Sequence, residues 1–412
     1  MKILIATSYS PYPVSRGTHR LVMNLIKGLS VRHQIVLVTM TLKPADEAAL
    51  RQIETTRISV KSIIAPNRRS LAHRVFYKMR NLFFSGARAI PLQVLYAAPI
   101  EFLNLIRDTA REERVDLVVA LYWHLYDLPK HLTGIMNAVA TQDLDFMTHR
   151  ERLKYIPGTV RRIFSGIDAR MQERIEKEAY RRYESILTVT DRDTEILKDM
   201  LGESEKAICA LPLAIDLERY RPDSFEREPD RIIFLGAFDA DFNRDALLYF
   251  IDEVFPIVLE KRSATHLEVV GHGADRGIRA RAGSHVRFVG RVDDVRPHLG
   301  QCSLMVLPLR FGGGVRIRMM EAAAMGTPVV STPVGVAGMG LVNGREYVEA
   351  SSTREMAQAV VDVLENPTLA RHIGEHARGW AEKHIGMDTY PDRLDDLIGT
   401  LSRRRSKSCL QS

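Results

Sequence analysis

The sequence predicts an α/β protein made of two doubly wound domains that face each other across a cleft. Three observations predict this. Short β-type runs alternate with longer helical patterns, as in parallel sheets covered by helices on both faces. The pattern breaks at 221–230, where two prolines and six charges fall in ten residues, and then starts again. The length of 412 residues suits two domains at roughly 100–200 residues each.

Before the break, clusters of aliphatic and β-branched residues predict strands at 3–6, 35–39, 58–64, 117–121, 138–141 and 186–190. A helix over 18–29 places Leu21, Leu25 and Leu29 on one face. After the break, strands are expected at 232–235, 267–270, 286–289, 304–307 and 329–331, with helices at 245–259 and 315–325. Late helices follow at 353–364, 368–383 and 390–401. The expected organisation is a first domain at 1–222, a second at 223–384, a helix at 385–402 crossing back to the first, and a basic tail at 403–412.

Composition excludes several classes. Apolar residues make up 45% of the chain, enough for a large core, which rules out wholesale disorder, collagen and a small disulfide scaffold. No apolar run approaches the ~18–20 residues a membrane span needs. Met1 leads directly into a strand, without the apolar stretch of a signal peptide, so a cytoplasmic protein is expected. The cysteines, Cys209, Cys302 and Cys409, are scattered and suggest neither metal site nor disulfide framework.

The net charge of +7 is unevenly spread. Residues 55–100 contain no acid but eight bases: Arg57, Lys61, Arg68, Arg69, Arg74, Lys78, Arg80 and Arg88. Leu71, Val75, Phe76, Leu82, Phe83 and Phe84 lie among them. Two readings stand: a peripheral contact with an anionic membrane, or a solvated helix face beside a core stripe. Nucleic acid is not expected as a partner.

The densest chemical signal is 311–332, FGGGVRIRMMEAAAMGTPVVST. Gly312, Gly313 and Gly314 follow a strand and open a helix, so the backbone can approach a ligand closely. Amides and a helix N-terminus there present positive charge to an anion. Arg316 and Arg318 add two guanidinium forks that match the oxygens of a diphosphate. Glu321 lies in an otherwise apolar stretch, where a carboxylate needs a partner such as the vicinal hydroxyls of a ribose. The alternative is a solvated loop in which Arg316 or Arg318 pairs with Glu321.

This segment resembles the donor-binding signature of retaining GT-B glycosyltransferases of family 4 (glycosyl transferases group 1), in which Gly-x-Arg-x-Lys-x-x-Glu leads into Gly-x-Pro-Val-Val-Ser-Thr. Supporting likenesses lie at 3–13 with Gly17, at 185–197, at 211–216, and at 234–236 with 243–246. The resemblance implies the GT-B fold, two Rossmann-like domains, and transfer of a sugar from a nucleotide-sugar donor with retention. It implies a glycan or lipid-linked acceptor, in polysaccharide or glycolipid biosynthesis. Arg316 and Arg318 would hold the diphosphate and Glu321 the ribose; Gly17 and Gly312–Gly314 would approach the donor.

The sequence also departs from that family. Gly313 stands where many members have a Glu that touches the donor sugar. Ala237, Phe238 and Asp239 replace an Arg and a Lys, and Arg318 replaces a Lys. Gln142 replaces a His near the acceptor, which leaves Asp143 as the acceptor-side base or positioner. A loop Asp capping the next helix is the other reading of Asp143, and His124 is the runner-up base. These gaps keep open a catalytically silent nucleotide- or glycan-binding module, and a nucleotide-sugar epimerase.

Two further motifs carry less. Gly271-His272-Gly273 follows a strand but lacks the spacing of a dinucleotide fingerprint, and a glycine turn explains it. Asp-x-Asp occurs at Asp143/Asp145, Asp191/Asp193 and Asp239/Asp241, yet the guanidinium groups already counter a diphosphate. No metal and no other cofactor are therefore expected.

Overall fold

The computed structural model describes residues 1–411 except 15–16, 69–70, 157, 203–205 and 212. It divides into two compact units, Met1–Leu213 with Thr389–Ser412, and Ala214–Asp388. Residues 214–222 pack with the second unit: Arg378 Nη1 donates to Tyr220 O at 2.6 Å.

The first unit holds a seven-stranded, wholly parallel sheet in the order β3-β2-β1-β4-β5-β6-β7. Its strands are β1 Lys2–Thr7, β2 Gln34–Thr41, β3 Ile58–Ile64, β4 Leu117–Leu121, β5 Met136–Ala140, β6 Ser185–Thr188 and β7 Ala207–Ala210. The five residues of β4, LVVAL, are all buried, as a strand covered on both faces requires. Helix Tyr390–Gln411 returns to this unit beside helix Gly17–Ser30. Gly28 permits the approach, since a Cβ there would lie 2.7 Å from the Tyr390 and Leu394 side chains.

The second unit holds a six-stranded parallel sheet in the order β10-β9-β8-β11-β12-β13. Its strands are β8 Arg231–Leu235, β9 His266–Val270, β10 Val286–Gly290, β11 Leu304–Leu307, β12 Val329–Ser331 and β13 Val348–Glu349. In both sheets the strand order reverses at the centre, between β1 and β4 and between β8 and β11. Ligands of doubly wound folds bind at the carboxyl ends of the strands beside such a reversal.

Two helices differ from expectation. The helix expected at 245–259 is interrupted by a wider π-type turn at Phe250–Val254. Pro256 explains this, because it has no N–H and would clash with the carbonyl four residues back in a regular helix. The helix expected from 315 starts at Ile317. Gly314 sits at φ +68 and Arg316 is extended, so Arg316 caps the helix and does not lie in its first turn.

The apolar stripe in helix Leu71–Arg88 is not core. Val75, Phe76, Met79, Leu82 and Phe83 are 46–69% exposed. They recur at helical spacing on one face, with Tyr77 and Asn81 buried behind them. Val160, Ile163, Phe164 and Ile167 form a second exposed stripe on helix Thr159–Arg182. Arg174 joins the two helices by donating to the carbonyls of Arg88 and Ala89 at 2.9 and 2.7 Å. Among the described residues no helix is long and apolar enough to cross a membrane.

Candidate functional site

The second unit assembles its polar groups around the ends of β8, β9 and β11. Gly312 at φ +131 and Gly314 at φ +68 let the chain turn sharply after β11. A Cβ on Gly312 would collide with the Arg316 guanidinium, so the bare backbone is what admits that side chain. Arg316 is only 9% exposed, and its guanidinium lies 5.2 Å from the centre of the Phe242 ring.

Arg318 ties the start of the helix to the end of β8. It donates to the carbonyl of Leu235 and, at 2.6 Å, to Asn243 Oδ1. Asn243 is itself held by Ala237 O at 2.9 Å. Burial and then the charge of Arg316 lower the Arg318 guanidinium to about 9, so it stays positive at neutral pH. Two neighbouring like charges, one buried and one half-buried, favour an anionic partner.

Glu321 is buried, and its Oε1 accepts the hydroxyl of Tyr220 at 2.8 Å. Gly271 lies against Gly236, where a Cβ would strike the Gly236 carbonyl, and Phe238 N–H donates to His272 O at 2.8 Å. The glycines at 271 and 273 therefore serve a close contact between two strand ends.

In the first unit, the ends of β4 and β5 carry a second polar cluster. Tyr122 follows β4 at φ +86, a strained conformation for an aromatic residue. Its hydroxyl donates to Asp143 Oδ1 at 2.6 Å, and Trp123 Nε1 donates to Asp145 Oδ2 at 2.7 Å. Glu176 accepts the amides of Asp145 and Phe146 at 2.9 and 2.7 Å and the Tyr180 hydroxyl at 2.8 Å. Glu176 thus caps helix Asp145–Leu153, the task the second reading gave to Asp143. Burial, and then the charge of Asp143, raise the Asp145 carboxyl well above the usual range. Burial likewise pushes Glu176 up to about 8.

His124 stacks on Tyr122 and Trp123, with ring centres 5.0 and 4.3 Å away. Burial, and then the charge of His149, lower it to about 4, which makes it a weak base at neutral pH. Gln142 Nε2 lies 3.3 Å from the hydroxyl of Tyr9.

The fold therefore brings Gly312, Gly313, Gly314, Arg316, Arg318 and Glu321 together in the second unit. Gly17, which opens helix Gly17–Ser30, and Asp143 belong to the first unit. Sequence reasoning missed Tyr122, Glu176 and Tyr220. An aromatic pair directly after a buried strand was the available signal for Tyr122; the other two had none.

Residues 229–366 match the family model of glycosyl transferases group 1. The second unit is of the glycosyl transferases group 1 type. Over 404 residues the chain is 21% identical to an uncharacterized 44.6 kDa protein in the cps region of Klebsiella pneumoniae, covering 93% of this chain and 96% of that protein. It is 26% identical over 343 residues to the phosphatidyl-myo-inositol mannosyltransferase of Mycobacterium tuberculosis, covering 78% and 83%. Sucrose-phosphate synthase from Thermosynechococcus elongatus shares the fold at a TM-score of 0.73 and 14% identity, over 98% of this chain and 99% of that one. Anabaena Alr3699/HepE, solved in complex with UDP and glucose, does so at 0.67 and 12%, over 97% and 99%. The likeness of 311–332 to glycosyl transferases group 1 lies within that match, and the fold of this glycosyltransferase is GT-B.

Proposed function

We propose that this glycosyltransferase moves a sugar from a nucleoside-diphosphate sugar to a glycan or lipid-linked acceptor, with retention of anomeric configuration, in polysaccharide or glycolipid assembly. The observation that carries the reading is the pair of guanidinium groups, buried Arg316 and half-buried Arg318, behind a glycine turn with Glu321 one helical turn on. The arginines receive the charge that develops on the leaving diphosphate. Glu321 accepts the ribose hydroxyls, and Tyr220 sets its orientation. Asp143 orients the acceptor hydroxyl and takes its proton as the oxygen bonds to the anomeric carbon. A melting-temperature screen against UDP, GDP and their sugars, followed by the anomeric configuration of the product, tests the reading. A melting temperature unmoved by every nucleotide would overturn it.

Transfer is expected to persist in excess EDTA. Arg316 and Arg318 supply the counter-charge a Mg²⁺ would otherwise provide. Two of the three Asp pairs have local partners for their carboxylates: Asp143 and Asp145 hold Tyr122 and Trp123, and Asp239 faces His272 at 3.6 Å. Activity abolished by EDTA and restored by Mn²⁺ would contradict this.

The acceptor is proposed to be reached at the cytoplasmic face of an anionic membrane. The exposed stripes on helices Leu71–Arg88 and Thr159–Arg182 support this, because large outward apolar side chains stand among exposed Arg74, Lys78, Arg161 and Arg162. Sedimentation with vesicles should rise with anionic lipid and fall with salt. The double change Phe76→Ser and Phe83→Ser should weaken it about tenfold or more. Failure to sediment with vesicles of any charge would point to a soluble acceptor.

A further inference from the structure

We propose that Tyr122 is a positioning residue, whose hydroxyl aims the Asp143 carboxylate at the acceptor hydroxyl. The inference rests on the role given to Asp143 above, and four observations carry it. Tyr122 keeps φ +86, a backbone state in which glycine would be at ease and an aromatic residue is not. Such strain persists only where the surroundings over-determine it. They do so here: Trp123, the next residue, is fully buried and donates to Asp145, and the Tyr122 ring stacks on His124 at an interplanar angle of 10°. The result of that constraint is a hydroxyl 2.6 Å from Asp143 Oδ1, against 3.4 Å from Asp145 Oδ1. Asp143 is only half-buried, so the carboxylate held in this way remains within reach of a ligand.

The neighbouring carboxyls suit the same purpose. Glu176 is engaged by two amides and the Tyr180 hydroxyl, and Asp145 by the Trp123 indole. Both lie deep enough for burial to favour the protonated form. Tyr122 donates its one hydrogen outward to Asp143 and fixes which oxygen faces away.

The test compares Tyr122→Phe, Asp143→Asn and the double variant. Crystal structures should show the Asp143 side chain in one rotamer in the native protein and redistributed in Tyr122→Phe, with the Trp123–Asp145 contact kept. With the nucleotide sugar that turns over in the screen, Tyr122→Phe should lower kcat about 10- to 100-fold and leave the donor KM unchanged. The double variant should be no slower than Asp143→Asn alone, since the hydroxyl acts only through that carboxylate. An Asp143 rotamer unchanged in Tyr122→Phe would overturn the proposal, as would a double variant slower by the product of the single effects. If Asp143→Asn leaves kcat intact, the role of Asp143 itself fails. The crystallographic comparison decides on Tyr122 even if no sugar in the screen turns over.

Discussion

Replacing Arg316 by alanine should weaken nucleoside-diphosphate binding by about 1.5–3 kcal/mol, or roughly 10- to 150-fold in Kd. UDP and GDP titrated by calorimetry are the probes. The size follows from burial. Arg316 is 9% exposed, so water screens its charge poorly and a phosphate there meets a preorganised, partly desolvated fork. Arg316→Lys should recover only part of the loss, because an ammonium keeps the charge but not the two parallel donors. Gly312→Ala should mimic Arg316→Ala, since its Cβ would displace the guanidinium and φ +131 is strained for any side chain. Unchanged affinity in Arg316→Ala would remove this residue from the diphosphate site.

The parts of this site that were legible in the sequence are those whose chemistry sits on consecutive residues. Gly312 to Glu321 announce an anion site because turn, charge and helix start share one segment. Tyr220 is 101 residues from Glu321, and Glu176 is 31 from the amide of Asp145, so only tertiary packing reveals either contact. The same contrast governs the fold. The buried strands β4, β11 and β12 coincide with their aliphatic runs, since a strand covered on both faces needs continuous apolar residues. β7, with the sequence AICA, and the two-residue β13 lack such a run and form because a neighbouring strand edge is present. The outward face of helix Leu71–Arg88 was ambiguous for a related reason: periodicity shows that an apolar stripe exists, but not which way it points.

Glu268→Gln should destabilise the second unit by about 3 kcal/mol, the lower end of the range for breaking a buried ion pair. Glu268 in β9 is 3% exposed and accepts Arg231 Nη2 of β8 at 2.9 and 3.0 Å, with His298 Nδ1 at 2.5 Å. The lower end applies because Glu228 still pairs with Arg231 at 2.7 Å. Burial alone would raise the Glu268 carboxyl, but the hydrogen bonds from His298 and Arg231 outweigh it and hold the group at about 2. An unfolded glutamate titrates near ~4.3, so the stabilisation is complete above that pH and is lost as pH falls from there toward 2. The native-minus-variant difference, read by hydrogen exchange at the β8 and β9 amides, should therefore be level from pH 7 to about 5 and shrink below about 4. A difference that instead changes between pH 5 and 7 would overturn this assignment. Exchanging Arg231 for Met in the Glu268→Gln background should restore part of the loss, because the uncompensated buried charge is then gone.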